Sequence, residues 1–316
     1  MPTPIFLTLA FITALIAAAV RMALPVLLAS LGEIFSELSG VMNIGLEGIM
    51  AVGAFTGFAV VLISGNAWYG LIGAIIAGAL LGLLMAFLSV TLRLNQVVAG
   101  LTLVLFGVGI SDFLYRQLFG VSGTPPRIEP LAEVQIPLLS DIPILGEAIF
   151  SQSAAVYVTI GLVILFWFII KRTTWGLKIR AAGEMPGAVQ TAGTSVTLIR
   201  YVCPIVGSAL AGMAGGFITV VQLGLYAEGV IGGRGWVSLA LVVFAAWKPG
   251  PAVVGAVIFG LAQAVQLRLQ ALGPKSIPFE FFIMLPYVLT ILALFVGRDR
   301  LSRPAALGAP YVQGER

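Results

Sequence analysis

Long apolar runs separated by short polar interruptions make up nearly the whole chain. A bilayer crossing needs roughly 20 apolar residues. Runs of that kind lie at about 4–31, 41–63, 67–92, 97–119, 154–170, 201–221, 230–247, 251–271 and 279–297. The first is long and carries Arg21 in its middle. It is either one tilted helix or a short helix followed by a second that begins near Met22. The pattern predicts an all-α, polytopic transmembrane helical bundle of nine or ten spans, some of them broken, forming one membrane domain over 1–316. Met1 to Ala19 shows neither a basic start nor an obvious cleavage site, which reads as a retained membrane segment rather than a secretory signal.

Composition supports lipid as the solvent. Only 9% of residues are charged and 59% are apolar, too little charge to cover a soluble surface. The 38 glycines suit helices that pack in lipid by close backbone approach. Cys203 is the only cysteine and histidine is absent. An internal disulfide, imidazole metal ligation and Ser-His chemistry are therefore excluded, and no metal or cofactor site is expected in this chain.

The net charge of +4 sets orientation rather than marking a nucleic-acid partner, because it is unevenly distributed. Lys171, Arg172, Lys178, Arg180 and Arg200 face the single acid Glu184 across 171–200, and Arg298, Arg300 and Arg303 follow the last apolar run. Both regions, and with them the C-terminus, are expected on the cytoplasmic side. Alternate threading puts Arg93 and Lys248 inside and 120–153 outside. That outer loop is acidic (Glu129, Glu133, Asp141, Glu147) and carries Pro125, Pro126, Pro130, Pro137 and Pro143, so it cannot form one long helix. Docking of a soluble partner and simple connection are both open readings for it.

Three stretches carry the candidate chemistry. In the basic loop, Glu184 and Pro186 suit a helix start and Gly193 suits its close. Ala188, Val189 and Ala192 between them are small enough to enter a groove on another protein. Mechanical coupling and an ordinary solvated loop are both open from these residues alone. In Ser39 to Gly48 a span is interrupted by three glycines, and Asn43 and Glu47 stand four apart, hence on one helix face. An ionisable group at depth costs about 2.5–3.5 kcal/mol, so Glu47 either lines a path or fixes a neighbouring helix. A second interruption, Glu228 to Trp236, forms the kind of pair that points to a transporter's substrate route; a loop at the outer surface is the other reading, and Trp236 also suits an interfacial position. Asn95 and Gln96 stand where a helix cap is expected. Gln222, Gln263 and Gln266 either line a path or bridge helices. No Gly-x-x-x-x-Gly-Lys-Ser/Thr occurs, so any ATP hydrolysis belongs to another subunit.

The chain resembles the permeases of the ribose and branched-chain amino acid importer superfamily, within it the simple-sugar and nucleoside branch. The markers run nearly end to end: Gly32-Glu33-Ile34-Phe35, Ser39-Gly40-Val41-Met42-Asn43-Ile44-Gly45-Leu46-Glu47-Gly48, Asn95-Gln96-Val97-Val98-Ala99-Gly100, Ile136 to Gly146, Gly183-Glu184-Met185-Pro186 and Gly233-Arg234-Gly235-Trp236. Leu38 stands where that family often has Arg. The resemblance implies a bacterial inner-membrane permease that imports a small hydroxyl-rich solute, a nucleoside first and a simple sugar next. It implies a cytoplasmic ATP-binding-cassette ATPase that carries ATP and Mg, a second related permease, and an extracytoplasmic lipoprotein receptor. Gly183, Glu184, Pro186, Ala188, Val189, Ala192 and Gly193 would form the helix that docks on the ATPase. Asn43, Glu47, Gln96, Gln222 and Trp236 are the candidate path residues. The rival expectation is an ion-coupled secondary transporter that works without an ATPase.

Overall fold

The computed structural model describes residues 9–120, 126–137, 140, 142, 146, 149–272, 281, 284, 287, 288 and 303–312. The first apolar run is one continuous helix, α1 (Leu9–Glu37), despite Pro25 inside it. Proline removes the amide that would bond to the carbonyl four residues back. That carbonyl belongs to Arg21, and it accepts instead from Gln222 Nε2 at 2.5 Å. A membrane helix tolerates proline when a neighbour re-satisfies the freed group in this way.

Next come α2 (Leu46–Ser64), α3 (Ala67–Ala86) with a π-helical turn at Phe87–Thr91, and α4 (Gln96–Phe119). Side-chain caps set the helix starts: Asn66 Oδ1 accepts from the Trp68 amide and Asn95 Oδ1 from those of Val97 and Val98. The proline-rich loop after α4 contains a short antiparallel ribbon, β1 (Glu133–Gln135) against β2 (Ser151–Ser153). After it come α5 (Ala154–Arg172), the short helices α6 (Thr174–Glu184) and α7 (Pro186–Thr191), and α8 (Val196–Gly216), continued by a π turn over Phe217–Leu223. The last are α9 (Arg234–Phe244) and α10 (Pro249–Leu272).

Seven of these are long and apolar enough to cross a membrane: α1, α2, α3 and α8 with their π turns, α4, α5 and α10. Two expected spans take another form. The run at 41–63 becomes helical only at Leu46, because 41–45 is occupied by a non-helical strand of backbone. The run at 230–247 contributes turns and then α9, which at 11 residues reaches only about 16 Å. The run at 279–297 lies almost wholly outside the described residues.

The core is built around α8, most of whose residues are buried. Its small residues let three helices approach at once. A Cβ on Gly207 would fall 2.4 Å from the Gly32 carbonyl oxygen of α1, and one on Gly212 would fall 2.3 Å from the Ala74 carbonyl oxygen of α3. A Cβ on Gly53 of α2 would lie 2.2 Å from Gly212 itself. Lipid supplies no hydrophobic force between helices, so close packing of this kind carries the association.

Gly212→Ala is expected to destabilise the bundle by about 1–3 kcal/mol, the usual cost of overpacking. Thermal unfolding of the detergent-purified protein checks this. A melting temperature equal to wild type would mean that the α8 seams are slack.

Candidate functional site

Two segments leave helical geometry within the bundle, and the buried polar side chains are arranged around them. In the first, Ser36 Oγ donates to the Val41 carbonyl at 2.8 Å. The Met42 amide donates to Gln96 Oε1 at 2.8 Å, the Asn43 amide to Glu33 Oε1 at 2.7 Å and the Gly45 amide to Asn43 Oδ1 at 3.0 Å. Asn43 Nδ2 then donates to Ser208 Oγ of α8 at 3.0 Å. Where no water reaches, an unsatisfied backbone amide costs about 1–3 kcal/mol, so each of these side chains replaces a bond that helix would have supplied.

The second segment runs from Gly224 to Gly233 and ends at the start of α9. Glu47 closes it. Its two carboxylate oxygens accept from the Gly233 and Gly235 amides, both at 2.8 Å, and the Trp236 amide faces the same group. A carboxylate at a helix start satisfies orphan amides and meets the positive end of the helix dipole. Glu47 lies in the first turn of α2, so one side chain joins two helix starts. A Cβ on Gly235 would fall 2.5 Å from the Glu47 amide nitrogen, which only glycine permits. Beyond Glu47 lies a cavity of about 140 Å³ lined by Asp112, Tyr226 and Gly229 among others.

The first part of this segment is moored to α4. Tyr226 donates to Asp112 at 2.8 Å, and Arg116 grips Glu228 through two bonds of 2.6 Å. At its other end α9 is tied to α1, where the Trp247 indole donates to Glu37.

These contacts correct one expectation and sort the others. Asn43 and Glu47 do not share a helix face, because α2 starts only at Leu46; Asn43 turns to α8 and Glu47 to α9. Asn95 is the cap of α4, whereas Gln96 is buried and reaches across to Met42. Gln222 stands apart, beside Arg21, in a cavity beneath the ribbon. Trp236 is 42% exposed. Glu33 and Glu37 were missed as functional residues although both are buried. The available signal was two acids four apart at the end of an apolar run.

At the opposite end of the bundle, Pro186 opens α7 at its first position, and Gly193 follows it with φ of 76°. Ala188 and Ala192 face outward while Val189 turns inward. With Leu177, Ala181 and Met185 they border a groove of about 520 Å³ between α6 and α7. The α6 backbone rests directly on the turn after α1, since a Cβ on Gly183 would fall 2.3 Å from the Leu38 carbonyl oxygen. Residues 303–312 lie over this junction: the Ala306 amide donates to the Gly183 carbonyl at 2.8 Å, the Gly308 amide to the Gly40 carbonyl at 3.1 Å, and Arg200 Nη1 to the Ala309 carbonyl at 2.8 Å. The basic loop and the tail, which charge alone assigned to one side, therefore meet.

Residues 15–294 match the family described as branched-chain amino acid transport system / permease component. The chain belongs to this family. This permease is 38% identical over 309 residues to the guanosine ABC transporter permease protein NupQ of Bacillus subtilis, covering 93% of this chain and 95% of that one. It is 40% identical over 269 residues to the putative glucose ABC transporter permease protein TsgC13 of Haloferax volcanii, covering 84% and 80%. It is 32% identical over 299 residues to the nucleoside ABC transporter permease protein NupC of Lactococcus lactis, covering 92% and 94%. No solved structure matches. The permease is thus a multi-pass helical membrane protein, and its candidate site is the pair of broken segments with their side-chain clamps.

Glu47→Ala is expected to leave the Gly233 and Gly235 amides unpartnered and to speed their hydrogen exchange by about tenfold or more, from about 1–3 kcal/mol per lost acceptor. Glu47→Gln keeps one acceptor oxygen and falls between the two. Exchange unchanged in Glu47→Ala would show that the carboxylate is no clamp.

Proposed function

We propose that this chain is the permease subunit of an ATP-driven importer that moves a small hydroxyl-rich solute into the cytoplasm by alternating access. A nucleoside is the first choice of solute and a simple sugar the next. The observation that carries the reading is near-full-length similarity to a guanosine permease at 38% identity, and the similarity to a putative glucose permease keeps sugars in view. The family membership, and the names of the relatives, support ATP hydrolysis, with its Mg, on a separate cytoplasmic ATPase. They also support a substrate-binding partner outside, taken here as a lipoprotein receptor, and a second related permease beside this one. The membrane is the bacterial inner membrane.

In this reading the chain crosses nine times. The described spans supply seven, the broken segment with α9 makes an eighth, and 279–297 the ninth, which leaves the C-terminus in the cytoplasm. Gly183, Glu184, Pro186, Ala188, Val189, Ala192 and Gly193 form the coupling element, with the exposed Ala188 and Ala192 as its contact face and Val189 holding it to the bundle. A push on α7 travels through Gly183 to the turn after α1 and from there into 41–45. Asn43, Gln96 and Glu47 hold the broken backbone that borders the path, while Gln222 and Trp236 stand nearer its outer part. Mostly uncharged lining suits a neutral solute.

Replacing Glu184 to Ala192 by a Gly/Ser linker is expected to abolish both uptake and co-purification of the ATPase while the permease stays in the membrane. ATPase retained by the linker variant would remove the coupling role from α7. Independently, an Asn43→Ala, Glu47→Ala double variant of normal abundance is expected to lose most nucleoside uptake in whole cells. Retained uptake would move the path away from the broken segments.

A further inference from the structure

Beneath the β1–β2 ribbon lies a cavity of about 610 Å³, within the size range of roughly 300–1,000 Å³ typical of small-ligand sites. Its floor is apolar, with Ile218, Val221 and Leu267, and its polar groups come from five separate elements. Arg21 of α1 and Glu133 of β1 form an ion pair at 3.2 Å across its edge. Gln222 lies beside Arg21. Arg234, at the start of α9, also lines it, and its Nη1 donates to the Val230 and Ile231 carbonyls at 3.0 Å each. The same arginine belongs to the segment that Glu47 clamps, so the cavity abuts the broken element.

Ser153 marks this space as a ligand site. It occupies the N-cap position of α5, where a serine hydroxyl ordinarily accepts from an amide of the first turn. Here the hydroxyl makes no capping bond. Ser153 is only 5% exposed, its Oγ has no hydrogen-bond partner, and it lines the cavity. A buried hydroxyl left without a partner costs free energy unless something fills the space it faces. The ribbon register sets Ser153 directly opposite Glu133, so the orphan hydroxyl and the acidic half of the ion pair move as one piece with the ribbon.

The geometry points to this cavity as a holding chamber for a neutral, hydroxyl-rich solute, with the ribbon as its outer lid and the Arg21–Glu133 pair as the latch. The inference rests on the importer reading above and adds where the solute waits. Arg21 and Glu133 cancel one another, and part of Arg234 is engaged with backbone, so the chamber offers hydroxyl and amide groups rather than a pair of free charges for a zwitterion. A nucleoside satisfies both walls, its base lying on the apolar floor and its ribose hydroxyls meeting Ser153 and Gln222. The side chains of the latch are 39% and 60% exposed. Pairs so exposed hold weakly, which suits a lid that must open in every cycle.

The test uses the whole transporter, with its ATPase and receptor, in proteoliposomes and with radiolabelled uridine and glucose as probes. In a Cys203→Ala background, Arg21→Cys and Glu133→Cys are joined by a short bis-maleimide. Bridging is expected to lower uridine uptake by about tenfold or more relative to the same variant capped with N-ethylmaleimide, because a fixed lid bars entry. Ser153→Ala is expected to raise the KM for uridine about two- to tenfold with little change in turnover, the signature of one lost ground-state hydrogen bond. Ser153→Thr keeps the hydroxyl and restores KM. Uptake that survives bridging, a bridge that will not form, or a Ser153→Ala KM equal to wild type would overturn the chamber while leaving the importer reading intact. Wild-type assembly that takes up neither uridine nor glucose would overturn the importer reading, and the chamber with it.

Discussion

Backbone amides inside a bilayer have no water to turn to, and that constraint organises this molecule. Continuous helix meets it automatically. Where the chain leaves helix, at 41–45 and 224–233, turn bonds satisfy part of the backbone and side chains supply other partners, and the buried polar residues are distributed accordingly. Glu33, Gln96 and Asn43 serve the first break; Glu47 serves the second. The breaks are worth their cost only where backbone must line something other than lipid, which is why paired broken segments mark routes in transporters.

The two breaks also form part of one mechanical chain. Gly183 of α6 bears on the turn that leads into 41–45. From there Asn43 reaches α8, Gln96 ties in α4, and Glu47, a few residues on, holds the start of α9. Around this chain the glycine seams of α8 keep three helices in backbone contact. Packed small-residue interfaces deform little and shift as units, so a displacement entering at the α6–α7 groove would be passed on rather than absorbed. Residues 303–312 strap the junction where that displacement would enter.

The helical membrane class, most span positions, the two interruptions and the short helix after Pro186 were all legible in the sequence. Each rests on local physics: run length, glycine and proline punctuation, and cap residues such as Asn95. What stayed hidden depends on pairing across the chain. Nothing near Glu47 indicates that its partners are the Gly233 and Gly235 amides, and the helical spacing rule misplaced Asn43 because the segment was not yet helix. The continuity of α1 was ambiguous for a similar reason. Its proline is tolerated because Gln222, far along the chain, accommodates the freed Arg21 carbonyl. Val189 read as a contact residue by its size but turns inward, since only tertiary packing decides which side of a six-residue helix faces out.

The central claim is that ATP hydrolysis on a partner, transmitted through α7, drives a nucleoside past the broken segments. It is tested most directly by uridine uptake in membrane vesicles supplied with ATP, compared with and without vanadate and with and without an uncoupler of the proton gradient. The account predicts uptake that requires ATP, stops with vanadate and is indifferent to the uncoupler. Uptake that proceeds without ATP and collapses with the proton gradient would make the chain a secondary transporter and contradict it.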